Sequence, residues 1–313
     1  MTRFALTGLA GYIAPRHLQA IRDTGNRLVA AVDPHDSVGV IDAYFPDAAF
    51  FTEVERFDRH LELLRRTDEA VSVVSVCSPN HLHDAHIRLA LRVGADALCE
   101  KPLVLNPWNL DQLEEIEAES GQRVWTVLQL RVHPALVALR ERLAAENRRR
   151  HVRLTYVTSR GTWYNYSWKG DAKKSGGVAT NIGVHFFDLL QWLFGPVTRQ
   201  AVHLQQETRA GGVMELPGAD VEWFLSIDAA DLPAERPAGQ TTYRSITVDG
   251  EEIEFSGGFR DLHTVVYEET LAGRGFGIAD ARPSIELVHR IRTAAPSAPG
   301  EIVHPLVARA LAP

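Results

Sequence analysis

The 313-residue sequence predicts an α/β protein in two parts. An N-terminal doubly wound parallel sheet precedes a C-terminal α/β domain built on a large, open, mostly antiparallel sheet. Two observations carry this. In the first 128 residues, short apolar runs without polar alternation recur between amphipathic stretches, as buried parallel strands between covering helices should. From residue 152 onward the runs alternate instead, as in a sheet with one wetter face. The expected division is 1–128 and 129–313.

In the first part, Phe4-Ala5-Leu6-Thr7 reads as a strand, and Gly8-Leu9-Ala10-Gly11-Tyr12-Ile13-Ala14 as the turn after it. A helix from Pro15 to about Thr24 follows, then the strand Leu28–Val32 and Asp33. Small residues let a backbone approach a pyrophosphate, and a helix N-terminus offers free N–H groups and a positive dipole end. Asp33, 22 residues after Gly11, stands where a carboxylate accepts from a ribose hydroxyl and repels a 2′-phosphate. This is the pattern of a Rossmann dinucleotide site, and it favours NAD over NADP. The pattern continues through a short helix at 37–45, a strand at 49–51, a helix at 53–66 and a strand at 71–77. Then come Ser78-Pro79-Asn80, a helix at about 84–93, the strand 95–99, a helix to about Glu119 and the strand 123–128. Ligands of such sheets lie beyond the carboxyl ends of the strands. Asp33, Ser78–Asn80 and Lys101 all follow strand ends. A lysine beside a nicotinamide can hydrogen-bond a reacting hydroxyl and favour its ionised form.

The second part starts with a helix to about Asn147. Strands are expected at 152–158, 199–207, 220–227, 242–249 and 251–255. The segment Arg160-Gly161-Thr162-Trp163-Tyr164-Asn165-Tyr166-Ser167-Trp168-Lys169 concentrates aromatics among polar and cationic residues. Rings there can cover a sugar or base while Arg160 and Lys169 meet phosphate or carboxylate. Arg131 is a further candidate for an anionic group. One amphipathic helix is expected from Asn181 to Phe194, stopped by Gly195-Pro196. It would put Asn181 one turn before His185 on the same face. Helices are expected at 261–272 and 281–293, and 294–313 as an extended tail.

Composition excludes several classes. Net charge is −7, and the one basic run is Arg148-Arg149-Arg150, so no nucleic-acid partner is expected. No apolar run reaches the ~20 residues of a membrane helix. The two cysteines, Cys77 and Cys99, sit in strand-like runs and read as core residues of a reducing compartment, so a cytoplasmic protein is expected. His81, His83 and His86 find no Cys or carboxylate to complete a tetrahedral set, and no metal is expected.

Taken together, Ser78-Pro79-Asn80-x-x-His83, Glu100-Lys101-Pro102, Gly176-Gly177 and Asn181-x-Gly183-x-His185-x-x-Asp188 resemble the Gfo/Idh/MocA oxidoreductases over about the whole chain. The resemblance implies Lys101 and His185 as the catalytic pair. It implies cofactor contacts from Gly8, Ala10, Gly11, Tyr12, Ile13, Asp33, Ser78, Pro79, Asn80, His83, Glu100, Lys101 and Gln129. Substrate contacts would come from Arg131, Arg160, Trp163, Tyr164, Ser167, Trp168, Lys169, Asn181 and Asp188. The family usually has Asp where this chain has Asn181, which can hydrogen-bond but carries no charge.

Ala10–His17, Ser159-Arg160-Gly161-x-Trp163-Tyr164 and Ser167–Asp171 are similar to the branch of the family acting on UDP-N-acetylglucosaminuronic acid in O-antigen sugar synthesis. That branch implies oxidation at C3 with NAD, a cofactor recycled in place by 2-oxoglutarate, and a homotetramer. Two other functions fit the same residues. One is a family dehydrogenase for another sugar or for inositol. The other is a sensor of NAD or a sugar nucleotide, without turnover.

Overall fold

The computed structural model describes all residues except 147, 236, 238, 254–260 and 313. They form two compact units, Met1–Val132 with Phe259–Arg282, and His133–Gly258 with Pro283–Pro313.

The first unit begins with β1 (Arg3–Thr7), α1 (Ala14–Asp23), β2 (Arg27–Val32), β3 (Ala49–Phe51), α2 (Val54–Arg65) and β4 (Val73–Val76). It continues with α3 (His83–Arg92), β5 (Asp96–Cys99), α4 (Pro107–Ser120) and β6 (Val124–Thr126). The short helix expected at 37–45 is a 3₁₀ turn at Gly39–Ala43. Helix ends follow local chemistry. Pro107 opens α4, and Gly121, at φ 69°, closes it in the left-handed region. The six strands run parallel in the order β3-β2-β1-β4-β5-β6. The order reverses between β1 and β4, so a crevice opens beyond the carboxyl ends of those strands. Phe4, Ala5, Leu6, Val74, Val76, Ala97, Leu98 and Cys99 are all buried, which is why these runs show no alternation.

The second unit begins with α5 (Pro134–Glu146), β7 (Arg150–Thr158), α6 (Trp163–Tyr166), α7 (Ala172–Ser175), α8 (Gly177–Asn181) and α9 (Val184–Phe194). Then come β8 (Arg199–Gln205), β9 (Arg209–Leu216), β10 (Ala219–Ser226), β11 (Thr242–Val248) and β12 (Glu251–Glu252). The sheet order is β12-β11-β7-β10-β9-β8, antiparallel except for β7 with β10. Residues 254 and 255 of the expected last strand lie outside the described residues. Strand β9 goes unread in the sequence because Gly211-Gly212 breaks its alternation. Both glycines are required by packing. A Cβ on Gly212 would lie 2.1 Å from the Ala201 carbonyl oxygen, and one on Gly211 2.3 Å from Val307 Cγ2.

On β10, the Trp223 face meets α9, where Phe187 packs edge-on at 5.2 Å. The Phe224 face meets the C-terminal segment, which the sequence suggested was an extended tail. Pro305–Leu311 is instead a helix. Buried Val307 packs with Val157, Leu204 and Phe224, and His304 stacks on Phe224 at 5.6 Å. Burial lowers the His304 pKa to about 3, so the ring is neutral. Its Nδ1 accepts from the Leu306 amide and its Nε2 pairs with Thr155 Oγ1 at 2.8 Å. Seven residues are too few for apolar periodicity to announce a helix.

Among the described residues, three elements lie between β12 and this last helix: α10 (Leu262–Leu271), β13 (Phe276–Gly277) and α11 (Ile278–Thr293), after which Pro305–Leu311 is α12. The sequence division placed all of them in the second domain. Yet α10 and β13 pack in the first unit, and the boundary expected after Leu128 falls after Val132. The reason is burial. Tyr267 of α10 is fully buried, stacks on Phe4 at 5.6 Å and lies 2.6 Å from Ser75 Oγ through its hydroxyl. Strand β13 adds an antiparallel seventh strand beside β6. Among the described residues no helix is long and apolar enough to cross a membrane.

Candidate active site

Five strand ends of the first unit present the residues expected around a dinucleotide. Gly8, directly after β1, has φ +85°, and a Cβ there would lie 2.5 Å from the Cys77 carbonyl carbon. Only glycine permits that approach of two loops. The turn is closed by the Gly11 amide on the Gly8 carbonyl at 3.0 Å and the Ala14 amide on the Gly11 carbonyl at 3.1 Å. It delivers Tyr12 and Ile13 to the head of α1, whose first turn carries no acid to neutralise the helix dipole.

Asp33 is buried at the end of β2. Its Oδ2 accepts from the Ala10 amide at 2.9 Å and its Oδ1 from the His35 amide at 2.9 Å. The acid thus braces the glycine turn while keeping lone pairs for a ribose. Its charge opposes a 2′-phosphate. Asp33→Ser is therefore expected to raise the NAD Kd by about tenfold and to narrow the preference over NADP, as read by titration with both cofactors.

After β4, Ser78 Oγ lies 2.8 Å from His86 Nδ1, and burial lowers the His86 pKa to about 4. His83 is buried, with Nε2 2.8 Å from the Ser78 carbonyl and Nδ1 2.7 Å from the Pro102 carbonyl. The structure gives His83 the work of tying the β4 loop to the β5 loop. After β5, Glu100 is buried and Lys101 is partly exposed, with a cis peptide between Lys101 and Pro102. After β6, Gln129 starts a 3₁₀ turn, and its Oε1 is buried without a hydrogen-bond partner. The glycine turn at the β1 end, the braced Asp33 and the Gln129 side-chain carbonyl suit a bound dinucleotide. Arg131, expected to meet an anion, instead pairs with Asp280 at 3.1 Å and lies over the Phe276 ring.

The second unit holds the aromatic segment and the histidine helix. Lys169 Nζ lies 5.2 Å from the Trp163 ring centre and 5.5 Å from that of Trp168. Gly170 allows the segment to fold back, since a Cβ there would meet Asn165 Cα at 2.7 Å. Ser167 Oγ donates to the Tyr164 carbonyl, while Trp163 and Arg160 are exposed. Tyr164 is buried, and burial raises its phenol pKa, so it remains protonated. Asn181 Nδ2 donates to that phenol oxygen at 2.8 Å.

The single helix expected from Asn181 is two helices. Asn181 ends α8 and His185 lies in the first turn of α9. Gly183 is pressed against the Ala179 carbonyl and Leu225, each 2.5 Å from where its Cβ would stand, and the chain breaks there. His185 lies against Phe186 at 4.3 Å and Tyr156 at 6.1 Å, and Asp188 is buried one turn later. Arg244 of β11, over the Tyr156 and Phe186 rings, joins this group without any signal in the sequence.

One polar group was also unforeseen. His17, Glu100 and His263 come together in the first unit, their ligand-type atoms within 4.8 Å of one another. They are 83 and 163 residues apart from Glu100 in sequence, so no local spacing could reveal them.

A 3-2-1-4-5-6 parallel sheet with this rim defines a Rossmann-type dinucleotide-binding protein. Residues 2–128 match the oxidoreductase family with an NAD-binding Rossmann fold (GFO_IDH_MocA), and 149–228 match its C-terminal alpha/beta domain. The chain belongs to the Gfo/Idh/MocA oxidoreductase family. It is 58% identical to the WlbA (WbpB) dehydrogenase of Thermus thermophilus in complex with NAD and alpha-ketoglutarate, over 96% of this chain and 98% of that one, with a TM-score of 0.93. The same dehydrogenase in complex with NAD and UDP-GlcNAcA matches at 57% identity over 98% and 100%, with a TM-score of 0.95. The chain spans about half the length of the curated relatives it matches, 44%, 40% and 50% for three of them. Another is the inositol 2-dehydrogenase of Rhizobium meliloti, 26% identical over 62% of this chain and 55% of that protein.

Proposed function

We propose that this protein oxidises the C3 hydroxyl of UDP-N-acetylglucosaminuronic acid to the 3-keto sugar with NAD, in the synthesis of O-antigen or other surface-polysaccharide sugars. The observation that carries the reading is 57% identity over nearly the whole chain to a dehydrogenase crystallised with NAD and UDP-GlcNAcA. Bound NAD supplies the acceptor for the two electrons and hydrogen lost from C3. Gly8, Ala10, Gly11, Tyr12, Ile13, Asp33, Ser78, Pro79, Asn80 and Gln129 hold it in the crevice.

His185 takes the proton of the C3 hydroxyl, and the Lys101 ammonium steadies the alkoxide that forms. Trp163 and Trp168 offer faces to uracil or sugar. Arg160 and Lys169 offer charge to the diphosphate and the sugar carboxylate. Asn181 and Tyr164 present a linked amide and phenol to sugar hydroxyls. The complex of the Thermus thermophilus dehydrogenase with both NAD and alpha-ketoglutarate supports recycling of the cofactor in place. The same pair would then return a proton to the 2-oxo group. Family resemblance supports a homotetramer in the cytoplasm.

The test is absorbance in the reduced-nicotinamide band of the purified protein, before and after addition of UDP-GlcNAcA. A band that grows with this sugar, and falls on adding 2-oxoglutarate, is expected. The inositol 2-dehydrogenase match favours a second reading, a polyol or another sugar as substrate. Growth of the band only with inositol or free sugars would select it. A bound cofactor reduced by none of them would indicate a sensor.

A further inference from the structure

Behind the Glu100-Lys101-Pro102 turn, the first unit buries a chain of polar groups that the catalytic reading leaves unused. Glu100 Oε1 lies 3.0 Å from His17 Nε2 and 3.0 Å from His263 Nε2. Glu100 Oε2 accepts from the Lys101 backbone amide at 3.2 Å. His17 Nδ1 lies 2.8 Å from the Tyr267 hydroxyl, which lies 2.6 Å from Ser75 Oγ. His17, Ser75 and Tyr267 are fully buried, and Glu100 and His263 nearly so.

The protonation states are mutually consistent. Burial lowers the pKa of His17, outweighing the hydrogen bond to Glu100 that raises it. The ring is therefore neutral, donating from Nε2 to Glu100 and accepting at Nδ1 from Tyr267. Burial alone would raise the pKa of Glu100, but the hydrogen bonds from His17 and His263 hold it well below the usual range. The result is a buried carboxylate gripped from three sides. Apolar residues can often replace such a buried ionic network without loss of stability, so stability alone does not account for it.

We propose that Glu100, oriented by His17 and His263, is the positioning residue of Lys101. One carboxylate oxygen receives both imidazoles and the other receives the lysine's own amide. The carboxylate therefore sets the backbone from which the ammonium projects. His263 also lines a surface pocket with Pro15, Arg16, Gln19, Tyr44, Asp261 and Thr264, so the grip reaches the outside of the unit. The proposal rests on the reading of Lys101 as catalytic.

The test uses full-length Glu100→Gln, His263→Leu, His263→Gln and Lys101→Met, each assayed for NAD reduction with UDP-GlcNAcA and for thermal unfolding. Glu100→Gln and His263→Leu are expected to lower kcat by about 10–100-fold with KM changed by less than about threefold, the pattern of a misplaced catalytic group. The Gln amide puts an N–H where His263 Nε2 stands. His263→Gln is therefore expected to restore kcat to within about threefold of wild type. If Glu100→Gln fails to fold, the His263 pair decides alone. Wild-type kcat in both Glu100→Gln and His263→Leu, beside an inactive Lys101→Met, would overturn the proposal and leave the Lys101 reading standing. An active Lys101→Met would overturn the reading beneath it. Metal analysis separates one rival. The three ligand-type atoms lie close enough to hold an ion. Zinc retained at one equivalent, and lost in His263→Gln, would mean the cluster is a metal site.

Discussion

His185→Asn is expected to slow turnover by about 10²–10⁴-fold, the range over which a positioned general base contributes. The substitution keeps a polar side chain in the first turn of α9 but removes a group that can take up a proton near neutral pH. His185 is half-buried against the Phe186 and Tyr156 rings. The variant should therefore unfold near the wild-type temperature and bind NAD as wild type does. Stopped-flow absorbance at the reduced-nicotinamide band would show a slowed first turnover with UDP-GlcNAcA. An unchanged first-turnover rate would remove His185 from the mechanism.

Gly8→Ala should act through binding and folding. Its methyl would stand 2.5 Å from the Cys77 carbonyl carbon and 2.6 Å from both the Cys77 oxygen and the Ser78 nitrogen. All three are backbone atoms and cannot swing away. At φ +85° an alanine also pays about 1–3 kcal/mol of backbone strain. The β1 and β4 loops must then separate, which spoils the cradle at the strand-order reversal. Calorimetric titration is expected to show NAD affinity lowered by about 100-fold or more, with a lower unfolding temperature. Wild-type affinity would mean that this contact does not shape the cofactor crevice.

How much of this was readable depends on whether the cause is local. The parallel sheet could be read because buried strands write continuous apolar runs. The Asp33 brace could be read because β1, turn, helix and β2 fix its distance from the glycines. The break at Gly183 could not be. Asn181 to Phe194 has helical composition, and the tight packing of Gly183 against Leu225 of a distant strand is not written in it. The helix α12 and the strand β9 were missed for related reasons, one too short for periodicity and the other broken by glycines that packing requires. The partner of Arg131, Asp280, lies 149 residues away in sequence, so no local pattern announces the pair. The departure at Asn181 also gains a physical account. An amide can donate to the Tyr164 oxygen, as Asn181 does, whereas an ionised aspartate could only accept from it.

The discontinuity of the first unit bears on how the chain is made. Its β1, β4 and α1 residues need Tyr267 and His263 to complete their packing and to grip Glu100. A nascent chain presents these helix residues only after the entire second sheet has been synthesised. The amino-terminal half therefore cannot mature in order of emergence, as a contiguous domain would. It must wait, with the Ser75 hydroxyl and the Glu100 carboxylate still solvated, until about residue 282 has left the ribosome. Lys101 would then be among the last features of the nucleotide fold to be set in place, although its codon is read well before those of His263 and Tyr267.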